Sequence, residues 1–458
     1  VSTGGAAGSA GAAGAGAGGM TAAAGTAGAG GAAATGVKCG SIATPRTLTK
    51  HVVSDRVIDY VLDGAPSPDD HHVLLLLFNA SSKGPNSPDA DEQHVFYTPE
   101  ELGDVYFNDP NGVFAFLNED SFGKVSLSGR VVGWFDDTGT TPTALDFQTN
   151  VLDYVEQAAG DVTFSDYDVI YVVGLTDGTD TLQLGWGLQN SLETSQGHWD
   201  GGIDWMVNSN FFTAAGGDYY FSVILPSRSW AHELHHTLGI DGHDISLDCG
   251  NTTLAAACAF NGYGNDFSLM GESFLGNHPS IEMKQALGWL TPAQLVTPTT
   301  SDPVTICPTE TLDPQPKGLL IPLDPPLVIH STTVDADSTF DRVYVEYRAA
   351  LGFDRYLDRL SDPTWLMPFI TMPRTFRKDG VVITLGYADT TTQASALLDL
   401  HPDSDYNPNY GIEIPGNTGK FLDAMLYVGE TFELADQHVR ISPVALDGDG
   451  ISVKVEKF

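Results

Sequence analysis

Apolar and polar positions along this chain fall into distinct successive patterns. From Thr47 to Gly64, TLTKHVVSDRVIDYVLDG alternates strand formers with polar residues and predicts a β-hairpin or edge pair. HHVLLLLFNA, from His71, is a short unbroken apolar run, as a central strand covered on both faces requires. Residues 99 to 120 read as helical pieces joined by a turn, and VSLSGRVVGWF, from Val125, resumes β alternation. TPTALDFQTNVLDYVEQA, from Thr141, carries apolar residues at helical spacing, and DYDVIYVVGL, from Asp166, is a further buried strand. Residues 176 to 222 are rich in Gly, Asp, Thr and Asn, with Trp186, Trp199, Trp205 and Tyr219 scattered among them. They predict a loop that is either inert or forms a cleft edge for an extended substrate.

A helix is expected over Arg228–Leu238, with Ser227 as its N-cap and Gly239 ending it through the left-handed conformation glycine accepts. HPSIEMKQALGWL, from His278, predicts another helix that stops at Gly288, with Trp289 and Leu290 packing back. Prolines then cluster from Pro298 to Pro326, and short alternating strands such as DRVYVEYRA, GVVITLGYA and GISVKVEKF follow to the end. The pattern divides into a Gly/Ala-rich linker over 1–38, an α+β domain with a mixed sheet over 39–298, and an all-β, sandwich-like accessory domain over 299–458. The linker cannot bury enough apolar surface to offset the entropy of ordering it, and reads as a tether.

Composition narrows the class. The chain has 458 residues with 42% hydrophobic content and a net charge of −38, which argues against nucleic acid or an anionic membrane as partner. No apolar run is long enough for a spanning helix, so membrane insertion is not expected. The chain begins with Val1, and a leader is expected to have preceded it. None of the four cysteines forms a C-x-x-C pair, so a zinc knuckle is not expected. Cys249 and Cys258 are expected to pair across the loop after the central helix, and Cys39 with Cys307. Asp447 and Asp449, in DGDG, admit a structural Ca²⁺ loop, but a hairpin turn is the commoner meaning.

The chemistry concentrates in HELHHTLGIDGHD, His232 to Asp244. His232 and His236 lie four apart, about 6 Å along one helix face, where two imidazoles can share a metal that suits nitrogen donors, Zn²⁺ above all. Glu233, beside the first, can take a proton from a water at the metal's open position. A third ligand is needed from the turn after Gly239. His243 is the expected one, with Asp241 and Asp244 as carboxylate alternatives, while His235 points to another helix face and reads as a packed or surface residue. Met270, in GYGNDFSLMG, reads as a turn passing beneath the metal. The rival class is a non-catalytic protein, a zinc-stabilised adhesin or pseudoprotease binding matrix protein or glycan. The retained general base at Glu233 weighs against it.

Several segments in order resemble the gametolysin-like and M6-like metalloproteases of the metzincin zincins. They are FGKVSLSGRVVGW, FSDYDVIYVVG, WAHELHHTLGI, YGNDFSLMG, the helix ending ALGWL, and YVEYRAALGFD from Tyr344. The resemblance covers about residues 70 to 458. It implies a zincin fold and an exported zinc endopeptidase acting on extracellular proteins or glycoproteins; the chain is expected to be a monomer. The chain departs from the pattern in His235 where Gly is usual, in one extra residue before His243, and in Gly271 after the Met-turn where a tyrosine is expected.

Overall fold

The apolar run from His71 becomes the centre of a seven-stranded sheet. In a computed structural model, residues 37–80, 98–136, 151–176, 184–208, 225–271, 277–358, 377–389, 394–402, 421 and 423–458 are described. The sheet comprises β1 (Leu48–Val52), β2 (Val57–Leu62), β3 (Asp69–Ala80), β4 (Val125–Asp136), β5 (Val169–Thr176), β6 (Leu184–Thr194) and β7 (Gly197–Asn208). Their order is β1-β2-β4-β3-β5-β7-β6, with β4, β3, β5 and β7 parallel and β1, β2 and β6 antiparallel to their neighbours. Alternation along β3 divides its side chains between two cores. Val73, Leu75 and Leu77 join Trp230, Ala231 and Leu234, while Leu74, Leu76 and Phe78 join Tyr154, Val155 and Ala158. Both faces are therefore covered, which is why the strand reads as apolar throughout.

Five α-helices lie among the described residues. They are α1 (Pro99–Gly103), α2 (Val113–Asp120), α3 (Val151–Gln157), α4 (Leu225–Thr237) and α5 (Ile281–Ala286). Thr98 and Glu101 close a capping box at the start of α1, and the Ser280 side chain caps α5. The expected helix from Thr141 is present as α3 from Val151; residues 141–150 lie outside the described residues, as do 1–36 of the expected linker. The expected loop over 176–222 is corrected in its described part. Its residues form β6 and β7, paired residue by residue from Leu184↔Val207 to Thr194↔Gly197.

A second sheet is built from β8 (Ile245–Asp248), β9 (Ala257–Asn261), β10 (Leu295–Val296), β12 (Gly318–Ser331), β13 (Ala336–Glu346), β14 (Gly380–Tyr387), β15 (Ser395–Leu398) and β16 (Leu426–Tyr427). Strands β12, β13, β14, β15, β8 and β9 pair in that order, and β9 pairs again with β12, closing a ring. The expectation was a sandwich. Closure is allowed by an irregularity in β12 between Pro322 and Leu327, which interrupts its pairing with β13. A four-stranded sheet of β11 (Val304–Ile306), β17 (Phe432–Leu434), β18 (Val439–Asp447) and β19 (Gly450–Lys457) shares its core, with Ile306, Ile441, Ile451 and Val453 packed in one cluster with Leu319, Val343 and Ile383. DGDG is the turn of the β18–β19 hairpin, with Asp447 paired to Gly450 and Gly448 at φ 65°. The downstream ring thus takes β8 and β9 from the segment before residue 298.

Both disulfides form as expected, Cys249–Cys258 with a Cα separation of 4.3 Å and Cys39–Cys307 with 5.6 Å. Among the described residues no helix is long and apolar enough to cross a membrane.

Candidate metal centre

Helix α4 includes Leu225 and Pro226, so Ser227 lies within it and is not the cap. Two backbone hydrogen bonds end the helix, Gly239 N–H to His236 O at 3.0 Å and Ile240 N–H to His235 O at 3.1 Å, with Gly239 at φ 107°. This is the paired-bond C-cap that glycine permits. The turn has a chemical consequence, because it aims the Ile240 carbonyl back at the helix. His236 Nδ1 donates to that carbonyl at 2.6 Å, and His232 Nδ1 donates to the Leu269 carbonyl at 2.8 Å. With both Nδ1 atoms committed as donors, both Nε2 atoms present lone pairs.

His243 enters from the turn after Gly239, its ring centroid 5.2 Å from that of His232 and 4.8 Å from that of His236. One ring nitrogen from each of the three lies within 4.8 Å of the others, so the group can hold a metal ion, and it is the one such group among the described residues. His236 Nε2 and His243 Nε2 are 3.1 Å apart. Two nitrogens at that spacing, each about 2.0–2.1 Å from a shared ion, subtend about 100° at it, close to a tetrahedral angle. Burial, reinforced by the neighbouring His236, lowers the His243 pKa to about 4. Burial likewise holds His232 and His236 below the ordinary imidazole value. At neutral pH all three are in the neutral form that binds metal.

The carboxylate alternatives are placed elsewhere. Asp241 is exposed. Asp244 is buried, and its carboxylate accepts from the Ser395 N–H at 2.6 Å, the Ser395 hydroxyl at 2.7 Å and the Ser268 hydroxyl at 2.5 Å. Its own N–H donates to the Met270 carbonyl at 3.0 Å. Asp244 therefore ties the His243 loop to the Ser268–Gly271 turn and to the start of β15. Met270 is buried against Ile240 and Met283. His235 is wholly buried, 3.0 Å from Asp120, which also meets Lys284 at 2.6 Å; this ion network fixes the back of α4 to α2 and α5.

Glu233 sits where α4 crosses β6. A Cβ on Gly185 would lie 2.4 Å from Glu233 Oε1, and one on Gly187 would lie 2.0 Å from the Glu233 carbonyl oxygen and 2.4 Å from Asp204 Oδ1. A Cβ on Gly202 would lie 1.8 Å from Thr237 Cγ2. Glycine at these positions is what lets the helix lie so close on the strands. Burial, and secondarily the Asp204 carboxylate, push the Glu233 pKa well above the ordinary value, against the smaller opposing effect of the Gly187 N–H. Asp204 is fully buried, accepts from the Thr237 hydroxyl at 2.5 Å, and is pushed up by burial to about 8. Tyr263, at the turn after β9, packs its ring 4.1 Å from that of His243 and 6.0 Å from that of His232.

The sequence alone thus points to the three histidines and Glu233 but not to Asp204, Tyr263, Ser395 or the glycines. The glycines left a signal, since Gly185, Gly187 and Gln189 alternate and all meet α4, Gln189 through the Thr237 carbonyl. Comparison of the chain with protein-family models and with curated protein sequences found no match.

Proposed function

We propose that the protein is a zinc endopeptidase of gametolysin-like, metzincin character, exported and acting on extracellular proteins or glycoproteins. The observation that carries this reading is the convergence of His232, His236 and His243, with Glu233 next to His232 on the helix that supplies the first two. Three neutral nitrogens, two of them oriented through Nδ1, suit zinc and leave a coordination position open, as a catalytic site needs. Zinc, when bound, lowers the pKa of water and polarises a carbonyl oxygen. Glu233 takes the proton of the attacking water and returns it to the departing amine, so the peptide bond breaks with protons balanced.

The substrate reading rests on β6. It is the terminal strand of its sheet, with β7 as its ladder partner among the described residues. Its far edge offers backbone N–H and C=O groups to an extended peptide, a mode that selects polypeptide over compact small molecules. The two disulfides support passage through an oxidising compartment.

The test is metal analysis of purified protein joined to a general protein-cleavage assay, with and without a chelator. One zinc per chain is expected, with cleavage lost on chelation and restored by zinc. Zinc-loaded protein that cleaves nothing in a diverse peptide library would instead favour a binding protein.

A further inference from the structure

Tyr263 is the one bulky side chain at the candidate metal centre held in a backbone conformation that opposes it. Its φ is 56°, in the left-handed region that a β-carbon disfavours, although it stands between Gly262 and Gly264, either of which would adopt that conformation freely. Observed strain of this kind concentrates at functional sites, where surrounding structure holds a residue in place for its chemistry. The surroundings here are rigid. Strand β9 is paired on both sides, with β8 and β12, and Cys258 within it is bonded to Cys249. The Tyr263 side chain does not serve the core, since the residue is 47% exposed. It lies against the rings of His243 and His232, with centroid separations of 4.1 Å and 6.0 Å.

We propose that Tyr263 is a catalytic residue of this site, its phenol O–H donating a hydrogen bond to the scissile carbonyl oxygen as that oxygen gains negative charge. This rests on the endopeptidase reading above. During attack by water the carbonyl π pair moves onto oxygen, and the phenol stabilises that charge without losing its proton; when the C–N bond breaks, the pair returns and the hydrogen bond relaxes. A donor of this type contributes to the transition state and little to substrate binding, which separates it from a ring that only shields the histidines. Phenylalanine would shield equally well.

The experiment compares zinc-loaded wild type with Tyr263→Phe. Affinity for a phosphinic peptide, whose tetrahedral oxyanion mimics the charged intermediate, is measured by calorimetry beside affinity for the matching cleavage product. The variant is expected to keep its zinc content, melting temperature and product affinity. It should bind the phosphinate at least 10-fold more weakly and lose about 10²-fold in kcat with KM little changed. Equal phosphinate affinity and kcat in the two proteins would overturn the phenol's role while leaving the endopeptidase reading intact. A wild type that holds zinc yet neither cleaves peptides nor binds the phosphinate would overturn both.

Discussion

At the scale of single residues, two of the three imidazoles are oriented by carbonyl groups, and the one on His236 belongs to Ile240 in the turn that ends its own helix. The same local economy made His232, Glu233 and His236 legible in sequence, since helical spacing alone puts them together. His243 was legible because it follows the helix end by only six residues. Asp204 was not, because nothing near Asp204 in the chain indicates that β7 will lie against α4. Its carboxyl yields a prediction of its own. The folded state raises its pKa from 3.8 to about 8, so the native protein binds the more tightly held proton. This contributes stability that is fully present below about pH 4 and lost as pH rises through about 8, on the order of several kcal/mol. Asp204→Asn should remove that part of the pH dependence. Unfolding free energies measured from pH 5 to 9 should therefore diverge from wild type in slope, and parallel curves would refute the assignment.

At the scale of elements, the close crossing of α4 over β6 governs the site. Apolar alternation marks a half-buried strand, and β6 alternates glycines instead, so its sequence predicts a loop. Its hairpin with β7 depends on backbone pairing and on the absence of side chains beneath the helix, neither of which hydrophobic periodicity reports. Gly187→Ala tests this directly. The added carbon would meet the Glu233 backbone oxygen and the Asp204 carboxylate. Relief requires moving the helix from the strand, at a cost of about 1–3 kcal/mol for overpacking of this kind. Cleavage should fall at least 10-fold while the three ligands still bind metal; a variant with wild-type activity and stability would show the crossing to be slack. The β8–β9 hairpin does comparable work, beginning two residues after His243 and ending two before Tyr263. Its disulfide restrains the connecting loop, worth about 2–3 kcal/mol in the chain-entropy model.

At the scale of the whole molecule, the downstream strands form part of the metal centre's support. Alternation and proline clustering made the change of style near residue 298 visible. They could not reveal that β8 pairs in parallel with β15, or β9 with β12, because such partners lie far apart in sequence. Ser395, at the start of β15, completes the hydrogen bonds of Asp244 beside His243. A chain ending at residue 298 leaves β8 and β9 with unpaired edges and Asp244 buried without Ser395. It should neither unfold cooperatively nor retain zinc through gel filtration, and a folded, zinc-holding fragment would contradict this view of the fold. The central claim, that these parts together make a metal-dependent protease with Glu233 as base, is tested most directly by comparing zinc-loaded Glu233→Gln with wild type. The substitution keeps size and ligands, so zinc content and melting temperature should stay near wild type while peptide cleavage falls by about 10²–10⁴-fold or more. Equal cleavage rates in the two zinc-loaded proteins would contradict the account.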